Sequence, residues 1–179
     1  MNNSVVLFDT DCLSAFLWVS AEHILSSLYS GSIIVPQQVY DELSNPYTPQ
    51  LKTRLDKLII NGDVVIRSIL SDAAEFKHYM KLTSNPDEGH VIIGKGEAAV
   101  IALASALGGV VASNNLKDVA QYVSELKLQH ITTGNILVKA FEQSLITESD
   151  GNNIWRSMLV KRRRIGAASF TDYIRTHSK

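Results

Sequence analysis

Acidic side chains stand at points where a short apolar run of the chain ends. In the stretch VVLFDTDCLSAF, residues 5–16, an apolar run stops at Asp9 and Asp11, with Thr10 between them. Three further acids hold comparable places after other runs or turns: Glu42, Glu97 and Asp118. Carboxylates that converge in a low-dielectric cleft repel one another, and a divalent cation such as Mg²⁺ relieves that repulsion. Such a site can activate water and stabilise an in-line displacement at a phosphodiester.

Each acid alone also has an ordinary structural explanation. Glu97 and Asp118 fall in predicted first turns of helices, where a negative charge complements the helix dipole. Glu42 fits a solvated helix position, since exposure is the default for acids. Asp9 is harder to explain in this way, because it directly ends an apolar run. The hypothesis of a metal site therefore depends on the acids as a set.

The elements that must position these acids alternate between strands and helices. Apolar runs predict strands at residues 4–8, 33–35, 63–69 and 108–113, and HITTG at residues 130–134 is a fifth strand or a strand end, with helical segments between them. This alternation predicts parallel pairing, and hence an α/β fold: a three-layer α/β/α sandwich with a parallel five-stranded sheet. Open sheets of this kind bind ligands at the carboxyl ends of their strands. The acids are expected at that edge.

Composition indicates an ordinary globular protein. The chain has 179 residues, of which 45% are hydrophobic and 20% charged. A single cysteine, Cys12, excludes an internal disulfide and a thiolate zinc site. The sequence has neither the roughly 18 apolar residues of a membrane span nor the features of a signal peptide. We expect a cytoplasmic protein without a membrane partner.

Charge is distributed unevenly along the chain. Residues 156–179 hold 7 of the 17 lysines and arginines but one acid, Asp172. Four of these bases are adjacent and form what we call the basic run: Lys161, Arg162, Arg163 and Arg164. The run falls within a predicted helix at residues 152–165, whose apolar stripe includes Trp155 and Met158. It is either a solvated helix end or a contact surface for RNA phosphates.

Four segments of the chain resemble the motifs of PIN-domain nucleases, a family that includes the VapC toxins. They are LFDTDCL, IVPQQVYDEL, GKGEAAVIALA and VVASNNLKDV, which appear in family order over roughly residues 4–135. The resemblance implies a PIN-like domain at residues 1–145, with a helical basic C-terminal extension at residues 146–179 packed on it. It also implies a ribonuclease that uses Mg²⁺ or Mn²⁺, a homodimer, and an antitoxin protein as partner.

The same resemblance assigns roles to individual residues. The acids implied as catalytic metal ligands are Asp9, Glu42, Glu97 and Asp118. Many PIN domains have an aspartate where this chain has Asn115, while others combine an asparagine there with an acid three residues later, as Asp118 supplies. Accessory positions are Thr10, Asp11 and Ser113, the last of which either contacts water or phosphate or caps the following helix.

Two other functions fit parts of the pattern. Asn115 favours a catalytically weak PIN module that binds RNA or protein. An acid-bearing α/β chain is also compatible with a phospho-receiver domain. The third predicted strand, within VVIRSIL, ends without an acid that could be phosphorylated, which disfavours the receiver.

Overall fold

The computed structural model describes residues 4–177, without the side chain of Leu116, and its centre is a five-stranded sheet. All of its pairings are parallel, and the strand order is β3-β2-β1-β4-β5. The strands are β1 (Val6–Phe8), β2 (Ile33–Pro36), β3 (Val64–Arg67), β4 (Val110–Ala112) and β5 (Gln129–Ile131). The predicted five-stranded parallel sheet is confirmed, with four strands shorter than their predicted runs and β2 one residue longer.

Ten helices in the described part of the chain surround this sheet. They are α1 (Thr10–Trp18), α2 (Glu22–Tyr29), α3 (Gln37–Leu43), α4 (Pro49–Ile60), α5 (Ala74–Thr83), α6 (Lys95–Leu107), α7 (Leu116–Glu125), α8 (Thr133–Glu142), α9 (Glu148–Val160) and α10 (Phe170–His177). None of the helices between residues 4 and 177 is long and apolar enough to cross a membrane.

The three inner strands are buried along their whole length. Every residue of β1, β2 and β4 is shielded from solvent, including Leu7 and Phe8 at 0% exposure. A strand is buried throughout when its sheet is covered on both faces. The edge strand β3 instead alternates between buried and exposed positions. The continuous apolar runs of the sequence therefore mark the inner strands. The carboxyl ends of these strands are the expected position of a ligand site.

The last two helices pack against the body of the protein. Helix α9 contacts α1 and α8, and α10 contacts α8 and α9. Trp155 and Met158 are fully buried, as the predicted apolar stripe requires, and Phe170 and Tyr173 of α10 join the same core. Fully burying one side chain of this size stabilises the fold by about 1.5–3 kcal/mol. The C-terminal segment is thus held in place by the main hydrophobic core.

Helix α9 ends earlier than the sequence pattern predicts. Its last residue is Val160, so the prediction of a helix through residue 165 was wrong. Arg162 adopts a left-handed backbone with φ of 58°. The backbone N–H of Arg162 donates to Leu159 O at 2.8 Å, and that of Arg163 donates to Met158 O at 3.0 Å. This is a Schellman motif, which reverses the chain at a helix end. The basic run therefore lies in a tight turn outside the helix.

Candidate active-site cleft

Asp9 lies at the point where β1 meets α1. Its backbone N–H donates to Ala112 O of the neighbouring strand β4, at 3.0 Å. Its side chain caps α1, with Oδ1 accepting the backbone N–H of Cys12 at 2.7 Å. Strands β1 and β4 are neighbours where the strand order reverses, which is the usual ligand position in an open parallel sheet. The fold therefore places this carboxylate at the centre of the expected edge.

The carboxylate of Asp9 is held in an unfavourable environment. The residue is 1% exposed, and Oδ2 has no hydrogen-bond partner among residues 4–177. Burial is the main cause of a pKa of Asp9 raised from 3.8 to about 7, and the nearby charges of Asp11 and Glu97 contribute to the rise. The hydroxyl of Ser113 and the N–H of Cys12 oppose this shift. A positive charge beside Oδ2 would relieve both the desolvation and the repulsion.

Glu42 reaches the same cavity as Asp9 from the side of β2, the neighbour of β1 opposite β4. It lies in α3, which begins directly after β2, and it accepts a hydrogen bond from the hydroxyl of Thr10. Gly96 makes the approach possible, because a Cβ atom at this position would stand 3.1 Å from Glu42 Oε2 and 3.2 Å from Thr10 Oγ1. A larger residue would push the two side chains away. The first turn of α6 thus forms one wall of the site.

Asn115 joins two of the predicted acids. Its amide nitrogen donates to Glu97 Oε1 at 2.9 Å and to Asp118 Oδ2 at 2.8 Å. The amide therefore lies between two carboxylates, where a third carboxylate would add repulsion. Asn115 is therefore a neutral bridge between two acids.

These residues line two adjoining chambers of one cleft. The inner chamber, about 160 Å³, is lined by the acids Asp9, Asp11, Glu42 and Glu97, together with Thr10, Ser14 and Arg163. The outer chamber, about 620 Å³, shares Asp11, Glu97 and Arg163 with it. The outer chamber adds Asn114, Asn115, Lys117, Asp118, Arg162 and Arg164. The cleft is acidic inside and becomes basic toward its mouth.

Comparison with known families identifies the architecture. A family model described as a PIN domain matches residues 5–179. The chain belongs to the PIN-domain family. PIN domains are generally nucleases, which are hydrolases, and they typically use divalent metal ions. The match includes helices α9 and α10 and the turn between them. No curated protein matches the chain.

The donor set of this PIN domain fits a divalent cation. Mg²⁺ and Mn²⁺ favour oxygen ligands. The inner chamber offers carboxylates, and that of Asp9 has a buried oxygen with no hydrogen-bond partner in residues 4–177. Within residues 4–177, no three acidic, histidine or cysteine side chains stand together as a complete metal site. The hydrogen bonds account for this, since Glu42 is turned to Thr10 while Glu97 and Asp118 are turned to Asn115. Ligation requires these side chains to rotate.

The other predicted site residues of the PIN domain have mixed positions. Asp11 lines both chambers. Ser113 is 1% exposed and accepts the backbone N–H of Asn115 at 3.1 Å, so it orders the loop before α7, whose cap residue is Asn115. Lys161 lies outside the cleft, and its ammonium is 5.3 Å from the ring centre of Trp18. Arg162, Arg163 and Arg164 line the outer chamber.

Sequence reasoning missed Asn114, a positioning residue of this PIN domain. Its side chain accepts the N–H of Thr133 and donates to the Thr133 hydroxyl, both at 2.9 Å. These bonds fix the loop after β4 to the start of α8, and hence the place of Asn115. The local pattern of two asparagines after a strand indicates a turn, but its partner lies 19 residues away.

Proposed function

We propose that this PIN domain is an endoribonuclease that depends on Mg²⁺ or Mn²⁺. The observation that carries the proposal is Asp9, a buried carboxylate whose pKa is raised to about 7 and whose Oδ2 is unpartnered among the described residues. Keeping an ionisable group in such a place destabilises a fold. Functional sites are where such groups are found, since a bound ligand makes the environment favourable.

The acids of the inner chamber would hold the cation, with Asp9, Glu42 and Glu97 as ligands and Asp118 and Asn115 at the outer side. The cation, when bound, supplies positive charge that activates water and stabilises charge on the phosphate. Gly96 keeps Glu42 and Thr10 close to the chamber, and the amide of Asn115 keeps Glu97 and Asp118 beside it, from where their side chains would rotate toward the cation. In the reaction, a water oxygen bonds to phosphorus, one backbone P–O bond breaks, and the proton that the water gives up balances the one gained by the leaving oxygen. The products are a phosphomonoester and a hydroxyl.

The basic mouth of the cleft supports a nucleic-acid substrate. Arg162, Arg163, Arg164 and Lys117 surround the outer chamber, and lysine and arginine contacts to phosphates supply most of the affinity for a nucleic-acid backbone. Replacing the three arginines by glutamine should weaken binding of single-stranded RNA. It should also flatten the dependence of log K on log[salt], since each contact contributes a slope of about −0.7. Unchanged affinity and slope would assign this surface to another role.

Cleavage of a labelled single-stranded RNA tests the proposed activity. We expect cleavage with Mn²⁺ or Mg²⁺, no cleavage in excess EDTA, and loss of activity in Asp9→Asn and Glu42→Gln. Asp41→Asn is a matched control, because Asp41 is the exposed neighbour of Glu42 on α3 and bonds to Gln37. Cleavage that survives in Asp9→Asn would show that the activity comes from elsewhere.

The finer assignment that we propose is the toxin of a toxin–antitoxin pair, acting in the cytoplasm as a homodimer. The resemblance to VapC toxins supports it, and an antitoxin would act by covering the acidic cleft. Expression of the protein should arrest growth, and coexpression of a small DNA-binding protein encoded beside it should restore growth. The mass of the purified protein in solution tests the dimer. Normal growth during expression of active enzyme would count against a toxin.

A second candidate function is a catalytically weak module that binds RNA or protein. The observation that favours it is Asn115. Its amide donates hydrogen bonds to Glu97 and Asp118 and adds no negative charge to the site. Calorimetry with Mn²⁺ separates the two functions. A nuclease should bind the ion in the wild type and lose binding in Asp9→Asn, whereas a binding module should retain RNA affinity without measurable Mn²⁺ binding.

A further inference from the structure

Arg163 occupies a different place from the other arginines of the basic run. It lines both chambers of the cleft, at the point where they join. Its side chain is 26% exposed, and Nη1 lies 3.3 Å from Ser14 Oγ and 3.5 Å from Asp11 Oδ1. Arg162 and Arg164 are exposed. Among the described residues they line the outer chamber but not the inner one. Arg163 is therefore the arginine of the basic run that reaches the acids of the inner chamber.

The backbone around Arg163 is fixed by the hydrophobic core. Before it, the Schellman turn ties its N–H to the carbonyl of Met158, a residue with 0% exposure. After it, Ile165 is buried at 5% exposure, and the indole N–H of Trp155 donates to Ala167 O at 3.0 Å. Anchors on both sides fix the backbone from which this side chain extends into the cleft. A solvated helix end would lack them.

The contact between Arg163 and Asp11 is weak. Charge-assisted hydrogen bonds between arginine and carboxylate are commonly about 2.7–2.9 Å long and often bidentate, whereas this contact is a single one of 3.5 Å. The Asp11 side chain is 40% exposed, and exposed ion pairs contribute little to stability. A phosphate with two non-bridging oxygens matches the fork of a guanidinium better. Arg163 can therefore exchange Asp11 for a phosphate at small cost.

We propose that Arg163 binds the scissile phosphate of the RNA, and that Asp11 and Ser14 hold it in the cleft until the RNA arrives. This inference rests on the proposed nuclease function. The arginine lies beside the carboxylates of the inner chamber, so a phosphate held by it is placed next to the cation site. Its positive charge offsets the repulsion between these acids and the phosphate. It also stabilises the negative charge that grows on the phosphate oxygens during hydrolysis.

Single-turnover cleavage with saturating protein tests this role, because it measures the rate for bound RNA. Arg163→Gln should lower this rate about 100-fold, the usual loss for one donor to a developing negative charge. Arg163→Lys should recover part of it. Arg162→Asn is the comparison within the basic run, since asparagine tolerates the left-handed backbone. It should weaken RNA binding and lower the rate for bound RNA much less than Arg163→Gln does. Arg156→Gln, in the neighbouring groove of Trp18, should change neither.

The results separate this inference from the proposed function. If the wild type cleaves RNA and Arg163→Gln cleaves bound RNA as fast as Arg162→Asn does, Arg163 does not contact the scissile phosphate. If the wild type cleaves no RNA, the proposed function fails, and binding of a non-cleavable single-stranded oligonucleotide decides the role of Arg163. Its loss should then reduce the salt slope by about 0.7, whereas Asp11→Asn should increase affinity by releasing Arg163. An unchanged slope in Arg163→Gln overturns the phosphate contact.

Discussion

Replacing Asp9 by asparagine removes a charge that the folded protein holds almost completely out of water. The residue is 1% exposed, and Oδ2 has no partner in the part of the chain that the structure describes. Asparagine keeps the side-chain oxygen that accepts the N–H of Cys12, so the α1 cap survives. The variant should therefore differ from the wild type mainly in the free energy of ionisation.

The pKa of Asp9 gives the size of this difference. Burial raises that pKa from 3.8 to about 7 in the metal-free protein. Below pH 3.8 the carboxyl is protonated in both the folded and the unfolded chain, and its contribution to stability is fully present. Between these pKa values the unfolded chain has released the proton, so the free energy of unfolding falls by about 1.36 kcal/mol per pH unit. The total loss is about 4 kcal/mol, and roughly 2.5 kcal/mol of it falls between pH 5 and pH 8.

Urea unfolding in excess EDTA, at about pH 5 and pH 8, measures this loss. Subtracting the wild type from Asp9→Asn cancels the other titrating groups, so the variant should gain about 2.5 kcal/mol relative to the wild type over this interval. Asp11→Asn is the control, since it removes a more exposed neighbouring acid. It should keep most of the pH dependence, because burial is the main cause of the Asp9 shift.

At pH 8, Mn²⁺ at about 100 times its dissociation constant should offset the stability that the wild type loses between pH 5 and pH 8. Binding of the ion to the folded state alone stabilises by about 2.7 kcal/mol at 100 times its dissociation constant, and Asp9→Asn should lose this gain. If the stability difference between wild type and variant is the same at both pH values, the Asp9 carboxyl is not buried as described. The reasoning from burial to metal binding would then be wrong.

Further substitutions test other contacts of the cleft. Asn115→Asp should lower the free energy of unfolding in EDTA by about 1 kcal/mol or more, since three carboxylates then meet. Calorimetry should show a higher affinity for Mn²⁺ in this variant, and identical affinity in both proteins would place residue 115 away from the ion. Gly96→Ala should reduce cleavage at least tenfold, because the new Cβ would lie 3.1 Å from Glu42 Oε2, while leaving the melting temperature nearly unchanged. Trp155→Phe should cost about 1–3 kcal/mol through the unpaired carbonyl of Ala167 and weaken RNA binding; full RNA affinity would show that this anchor does not position the arginines.

The fold was predictable because its inner strands are buried on both faces. Such strands read as continuous apolar runs, and β1, β2 and β4 were found in this way. Asp9 was found because it interrupts such a run at the carboxyl end of a strand. In these cases the signal lies within a few neighbouring residues, where local preference and burial agree.

Features that depend on distant partners were not predictable from local pattern. The end of α9 was missed because the left-handed position of its Schellman turn is Arg162 rather than the usual glycine. The bridge made by Asn115 and the anchor made by Asn114 reach partners 18 and 19 residues away. The basic run was predicted as a surface for RNA, but the sequence contains no sign that Arg163 reaches Asp11, 152 residues earlier.

That separation has a consequence for how the cleft is assembled during synthesis. A growing chain presents Asp9, Asp11 and Glu42 early and Arg163 late. Because Trp155 and Met158 anchor the turn that carries Arg163, we expect the arginine to reach the acids only after these residues have docked on the core. Contacts between distant residues form late because their loop closure must be compensated by burial elsewhere. A nascent chain that stops before residue 155 therefore carries the acids without their arginine. We expect such a fragment to lack the phosphate contact that we propose for Arg163.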